Sequence, residues 1–150
     1  MKTRGRAAIA AVAVVLLWAG FAYDMSRPAD GKQYRRTMLQ VAEAAYDATQ
    51  TGRLVGEQEL AGNVTAAYAI TAYDDATKAL AGAQQKFAGE GPPDDRSAAL
   101  RDQLSPLLSD AVLTLGDTAQ ARDDRALRDG VRKLDVLAGK LDDFVTAYAS

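Results

Sequence analysis

The chain contains no histidine and no cysteine in 150 residues. Without cysteine there can be no disulfide, no thiolate metal site, no thiol nucleophile and no thiol for lipid attachment. Without histidine, Ser-His-Asp catalysis, His-ligated zinc or haem, and the Glu-x-x-His motif of di-iron bundles are excluded. No glycine-rich phosphate loop and no Gly-x-Ser-x-Gly elbow occurs. Runs of β-branched residues that would argue for strands are almost missing. The expectation is a chain that is not an enzyme, with no catalytic residue, no metal site and no cofactor.

What the chain does have is alanine in quantity, the residue with the highest intrinsic helix propensity. An all-α fold is therefore expected. Arginine exceeds lysine and aspartate exceeds glutamate, a composition typical of high-GC bacterial coding. With Lys2, Arg4 and Arg6 set aside, 15 basic residues face 20 acidic ones. A mildly acidic body has no electrostatic footprint for nucleic acid, so no nucleic-acid partner is expected.

From Ala7 to Tyr23 run 17 residues without a charge. As a helix they span about 25 Å, slightly less than the roughly 30 Å hydrocarbon core of a bilayer. Three cations precede them, the layout of an export signal. The positive-inside rule then places the N-terminus in the cytoplasm and the remainder outside. Basic residues also follow the stretch, at Arg27, Lys32, Arg35 and Arg36, and fit that orientation less comfortably. Gly20 and Ala22 are small residues two apart and would permit cleavage after Ala22, giving a secreted protein. Trp18, Phe21 and Tyr23 form an aromatic cluster of the kind that sits at a membrane interface, which favours an uncleaved anchor. The resulting division is a basic tail over 1–6, a transmembrane signal-anchor helix over 7–23, a linker over 24–32 and an extracytoplasmic bundle over 33–150. Trp18, Phe21, Tyr23, Arg27, Arg35 and Arg36 are the expected membrane-interface residues. The basic group after Pro28 is either a contact for anionic headgroups or a solvated helix start.

Four amphipathic segments follow. Asp30 can cap the first helix, whose stripe is Tyr34, Met38, Val41, Ala45 and Ala48. Gly52 fits the position just past a helix end, with Arg53 to Gly56 as a short connection. A second helix is expected from about Glu57 to Ala88, with the stripe Leu60, Val64, Ala67, Ile70, Tyr73, Thr77, Leu80 and Phe87. Gly89 to Pro93 is the strongest breaker in the chain. Asp94 or Asp95 caps the third helix, which carries Leu100, Leu104, Leu107, Leu108, Ala111 and Leu115. Pro106 falls inside it and predicts a kink or a break. Asp123 or Asp124 caps the fourth, with Leu127, Val131, Leu134, Ala138, Leu141, Val145 and Tyr148. Short connections between four such segments predict an antiparallel up-down four-helix bundle.

Candidate chemistry is thin. Asp74-Asp75, Asp94-Asp95, Asp123-Asp124 and Asp142-Asp143 are paired carboxylates, but two pairs sit at expected helix starts and neighbouring residues do not share a helix face. Tyr34, Tyr46, Tyr68, Tyr73 and Tyr148 could line a ligand pocket, or serve as core and rim residues. Asn63-Val64-Thr65 spells a glycosylation sequon, placed inside the expected second helix. The functional expectation is a single-pass membrane protein whose partners are the lipid bilayer and another protein or a second copy of itself. The alternative is a sensor-like bundle holding a small molecule.

Overall fold

The computed structural model describes residues 30–149. They form four helices, and no strand occurs among them. The helices are α1 (Gly31–Leu60), α2 (Ala66–Gly89), α3 (Asp95–Ala119) and α4 (Asp124–Tyr148). None is long and apolar enough to cross a membrane. The stretch 7–23, with Trp18, Phe21, Tyr23 and Arg27, lies outside the described residues.

Each helix starts on a side-chain cap that satisfies a backbone N–H left over in the first turn. Asp30, Thr65, Asp94 and Asp123 accept from the N–H groups of Lys32, Tyr68, Ser97 and Ala126. Asp94 and Asp123, the first members of their pairs, are thus the caps. Asp123→Ala should lower stability by about 1 kcal/mol, read as a shift in the denaturation midpoint at an unchanged slope.

α1 does not stop at Gly52. The three-and-four spacing of its stripe continues without a break through Gly52 and Val55, and the helix runs on to Leu60. The region expected to be a connection, Arg53 to Gly56, is helical and partly buried. Gly52 is small for another reason: it lies where α3 and α4 reach α1. A Cβ there would collide with Leu115 and lie 3.4 Å from Leu134 Cδ1. The true terminator is Gly62, whose φ of 70° is the left-handed conformation that glycine adopts at low cost. Its N–H donates to Glu59 O at 3.0 Å, and Asn63 N–H donates to Gln58 O at 2.9 Å. This is the Schellman pattern, closed by Asn63 Nδ2 donating to Gln58 Oε1 at 3.0 Å. Asn63 and Thr65 therefore belong to an exposed loop rather than to a helix.

The other helices follow from their stripes with two corrections. α2 starts at Ala66 rather than near Glu57 and buries only Ala69, Tyr73, Ala76, Leu80 and Ala83. Ile70 is 69% exposed; the seam carries Ala69, Ala76 and Ala83 beside Tyr73 and Leu80, and Ile70 lies off it. α3 is one helix through Pro106, so of the expected kink or break the break does not occur. Pro106 and Asp102, whose carbonyl loses its helical donor, are both exposed residues.

Neighbouring helices run antiparallel. Lys86 Nζ near the end of α2 donates to Gln40 Oε1 near the start of α1 at 2.6 Å. The Tyr148 hydroxyl at the end of α4 donates to Gln103 Oε1 in α3 at 2.8 Å. Helix α1 packs against all three others, whereas α2 and α4 do not touch. That is why α1 buries two adjacent rows of side chains and α2 only one.

Two tyrosines sit deep in this core. Tyr34 and Tyr73 are 0% and 5% exposed, and neither hydroxyl has a hydrogen-bond partner among the described residues. Burial pushes the Tyr73 hydroxyl up to about 12, with Glu59 adding to the shift. A raised folded-state value means that the folded protein holds the proton more tightly. The stabilisation is complete below the unfolded tyrosine value near 10 and is lost as pH rises towards about 12. Tyr73→Phe should remove that alkaline loss. It should also raise neutral-pH stability by about 1 kcal/mol, because an unpartnered buried hydroxyl is removed. Chemical denaturation of both proteins from pH 8 to 12 checks both effects.

Candidate functional site at the N-terminal pole of the bundle

In an up-down bundle the first and third helices start at the same end. The first turns of α1 and α3 accordingly meet, and the last turn of α4 closes beside them. Gly31 makes the meeting close: a Cβ on it would lie 3.0 Å from Asp94 Oδ2 and 4.0 Å from Ser97 Oγ. Between these elements opens a cleft of about 570 Å³. Its walls carry Lys32 and Arg35 from α1, Arg96 and Ser97 from α3, and Tyr148 from α4, with Leu100 below. The capping residues Asp30 and Asp94 stand at its edge.

The electrostatics are mixed in a particular way. Asp30 accepts from Lys32 N–H at 3.2 Å and Asp94 accepts from Ser97 N–H at 2.7 Å. The Ser97 backbone N–H, then its hydroxyl, hold the Asp94 carboxyl below the usual carboxylate range, and Arg96 adds a smaller pull in the same direction. Each carboxylate is thus committed through one oxygen to its helix start. The Lys32 ammonium and the Arg96 guanidinium make no ion pair within 4.0 Å among the described residues. The frame around the cleft is braced. Arg101 donates to the carbonyls of Phe87 and Glu90 at 3.1 and 2.5 Å and stacks 4.3 Å above the Phe87 ring. Phe144 and Tyr148 pack with ring centroids 4.9 Å apart.

Of the expected interface residues, Arg35 lines the cleft and Arg36 is exposed on the next position of α1, outside it. Arg96 was not among them. The signal that could have found it is topological: cations in the first turns of helices one and three share a pole. The five tyrosines do not converge on one cavity. Tyr34 and Tyr73 are buried, Tyr68 is exposed, Tyr46 accepts from Gln50, and Tyr148 alone lines the cleft. Asp74 pairs with Lys78 at 2.6 Å, and Asp142 and Asp143 are exposed on α4. Among the described residues no three carboxylates gather as they would to hold a metal ion.

Among the described residues, fold and site define an all-helical unit of four helices with a cleft of mixed charge at one pole. No protein family, no curated protein and no solved structure matches this chain.

Proposed function

We propose that this chain is a membrane-tethered, non-catalytic helical bundle. Residues 7–23 hold it as a single-pass anchor, with the N-terminus in the cytoplasm and the bundle in the extracytoplasmic space. There it works by contact with a protein partner or a second copy of itself. The observation that carries the reading is the uncharged stretch Ala7 to Tyr23, preceded by Lys2, Arg4 and Arg6. The geometry of the bundle supports it. The chain leaves α1 at Asp30, at the pole that carries Lys32, Arg35, Arg36 and Arg96, so those cations lie towards the anchor. Trp18, Phe21 and Tyr23 then stand at the interface. The non-catalytic part rests on the sequence, which has neither histidine nor cysteine, and on the use of Asp94 and Asp123 as caps and of Asp74 in an ion pair.

Membrane fractionation with alkaline carbonate, followed by sequencing of the mature N-terminus, tests the tether. The expected result is intact protein retained in the membrane pellet. Protein beginning at Tyr23 in the medium overturns the anchor and leaves a secreted bundle.

A further inference from the structure

We propose that the cleft at the N-terminal pole binds the headgroup of an anionic phospholipid, a phosphodiester that also carries free hydroxyls, as in phosphatidylglycerol. The choice of a lipid rests on the tethered reading above; the chemistry of the site rests on its own residues. Three cationic side chains from two helices, Lys32, Arg35 and Arg96, line one cavity of about 570 Å³. That is within the roughly 300–1,000 Å³ range of small-ligand sites. Arginine and lysine beside one another suit a phosphodiester, the former through directed N–H donors and the latter as a point charge.

At each helix start the cap already takes one N–H, that of Lys32 by Asp30 and that of Ser97 by Asp94, which leaves less of the helix start for a ligand. The cations are therefore the main hold on the anion. Those two carboxylates would repel a bare phosphate. They and the Ser97 hydroxyl instead offer acceptors for the hydroxyls of a polyol, which makes a phosphoglycerol group a better match than phosphate alone. Tyr148 and Leu100 give the glycerol carbons an apolar wall.

Position supplies the source. The apolar stretch ends at Tyr23 and the bundle begins at Asp30. Seven residues extend at most about 25 Å, so the tether cannot carry this pole far from the headgroup layer.

The test uses the full-length chain in a neutral detergent, followed by amide NMR. Short-chain phosphatidylglycerol, short-chain phosphatidylcholine and inorganic phosphate are titrated separately. Phosphatidylglycerol should shift the amides of Lys32, Arg35, Arg96 and Ser97 saturably, while phosphatidylcholine leaves them in place. Lys32→Gln and Arg96→Gln should each weaken that binding by about fivefold, with helical circular dichroism unchanged. Arg36→Gln, one position outside the cleft, should bind as the parent does. Equal shifts with phosphatidylcholine, or no shift with phosphatidylglycerol, overturn the proposal. So does an Arg36→Gln loss as large as that of Arg96→Gln, which would mean diffuse surface charge. Inorganic phosphate binding more tightly than phosphatidylglycerol overturns the lipid assignment in favour of a free anion. Because the titration reads the cleft and fractionation reads the tether, either can fail without the other.

Discussion

Leu134→Ala is expected to lower the unfolding free energy by about 2–5 kcal/mol. Leu134 is 0% exposed and sits midway along α4. Its Cδ1 approaches Gly52 of α1, and Leu115 of α3 approaches the same glycine. Three helices therefore meet at Gly52, with the Leu134 side chain as the contribution of α4. Truncation to alanine removes its apolar transfer energy and leaves a void. The surrounding α1 cannot collapse into that void without moving away from α2 as well, because it packs against every other helix. The loss should fall in the upper half of the range for that reason. A melting or urea transition indistinguishable from the parent's would take Leu134 out of the core.

The second large effect is expected from adding an atom. A Cβ on Gly130 would overlap the Thr118 hydroxyl and lie 2.9 Å from Thr118 Cγ2 and 3.0 Å from Thr118 Cβ. Thr118 cannot swing aside. It is buried and β-branched, and its hydroxyl is committed to the Thr114 carbonyl. The strain of overpacking a filled site is about 1–3 kcal/mol, against which alanine recovers about 1 kcal/mol of helix propensity over glycine. Gly130→Ala should therefore destabilise by up to about 2 kcal/mol, whereas Gly139→Ala on the same helix, where a Cβ meets nothing within 4 Å, should stabilise. Pairing Gly130→Ala with Thr118→Ala should recover part of the loss. Simple addition of the two single effects would show that these residues do not meet.

Much of this architecture was legible. Asp30 was readable as a cap, and Asp94 and Asp123 to within one residue of their pairs, because a short acidic side chain before a periodic apolar run has one main structural use. The stripe of α4 was readable because leucine dominates it. The errors share one cause. Glycine ends helices and glycine lets helices touch, and a single sequence does not mark which. Gly52 looked like the first kind and is the second; Gly62, in the unremarkable run Ala61-Gly62-Asn63, is the terminator. Side-chain size misled the reading of α2 in the same way. Ile70 was assigned to the seam, although Ala69, Ala76 and Ala83 line it beside Tyr73 and Leu80. At the cleft, Lys32 and Arg35 stood out as a local charge cluster. Tyr148 stood out only as one of five tyrosines that could line a pocket, and Arg96 did not stand out, because both arrive from distant parts of the chain through packing.

The packing of α1 against all three partners also sets how the molecule carries load. On the tethered reading proposed above, tension from the membrane side would enter the domain at Asp30 and run along α1. Pulling that rod lengthwise shears its seams with α2, α3 and α4 together, where a peripheral helix such as α2 would peel away along fewer contacts. Under that proposal the loaded helix would be the central one, and the bundle would resist extraction with its whole interior.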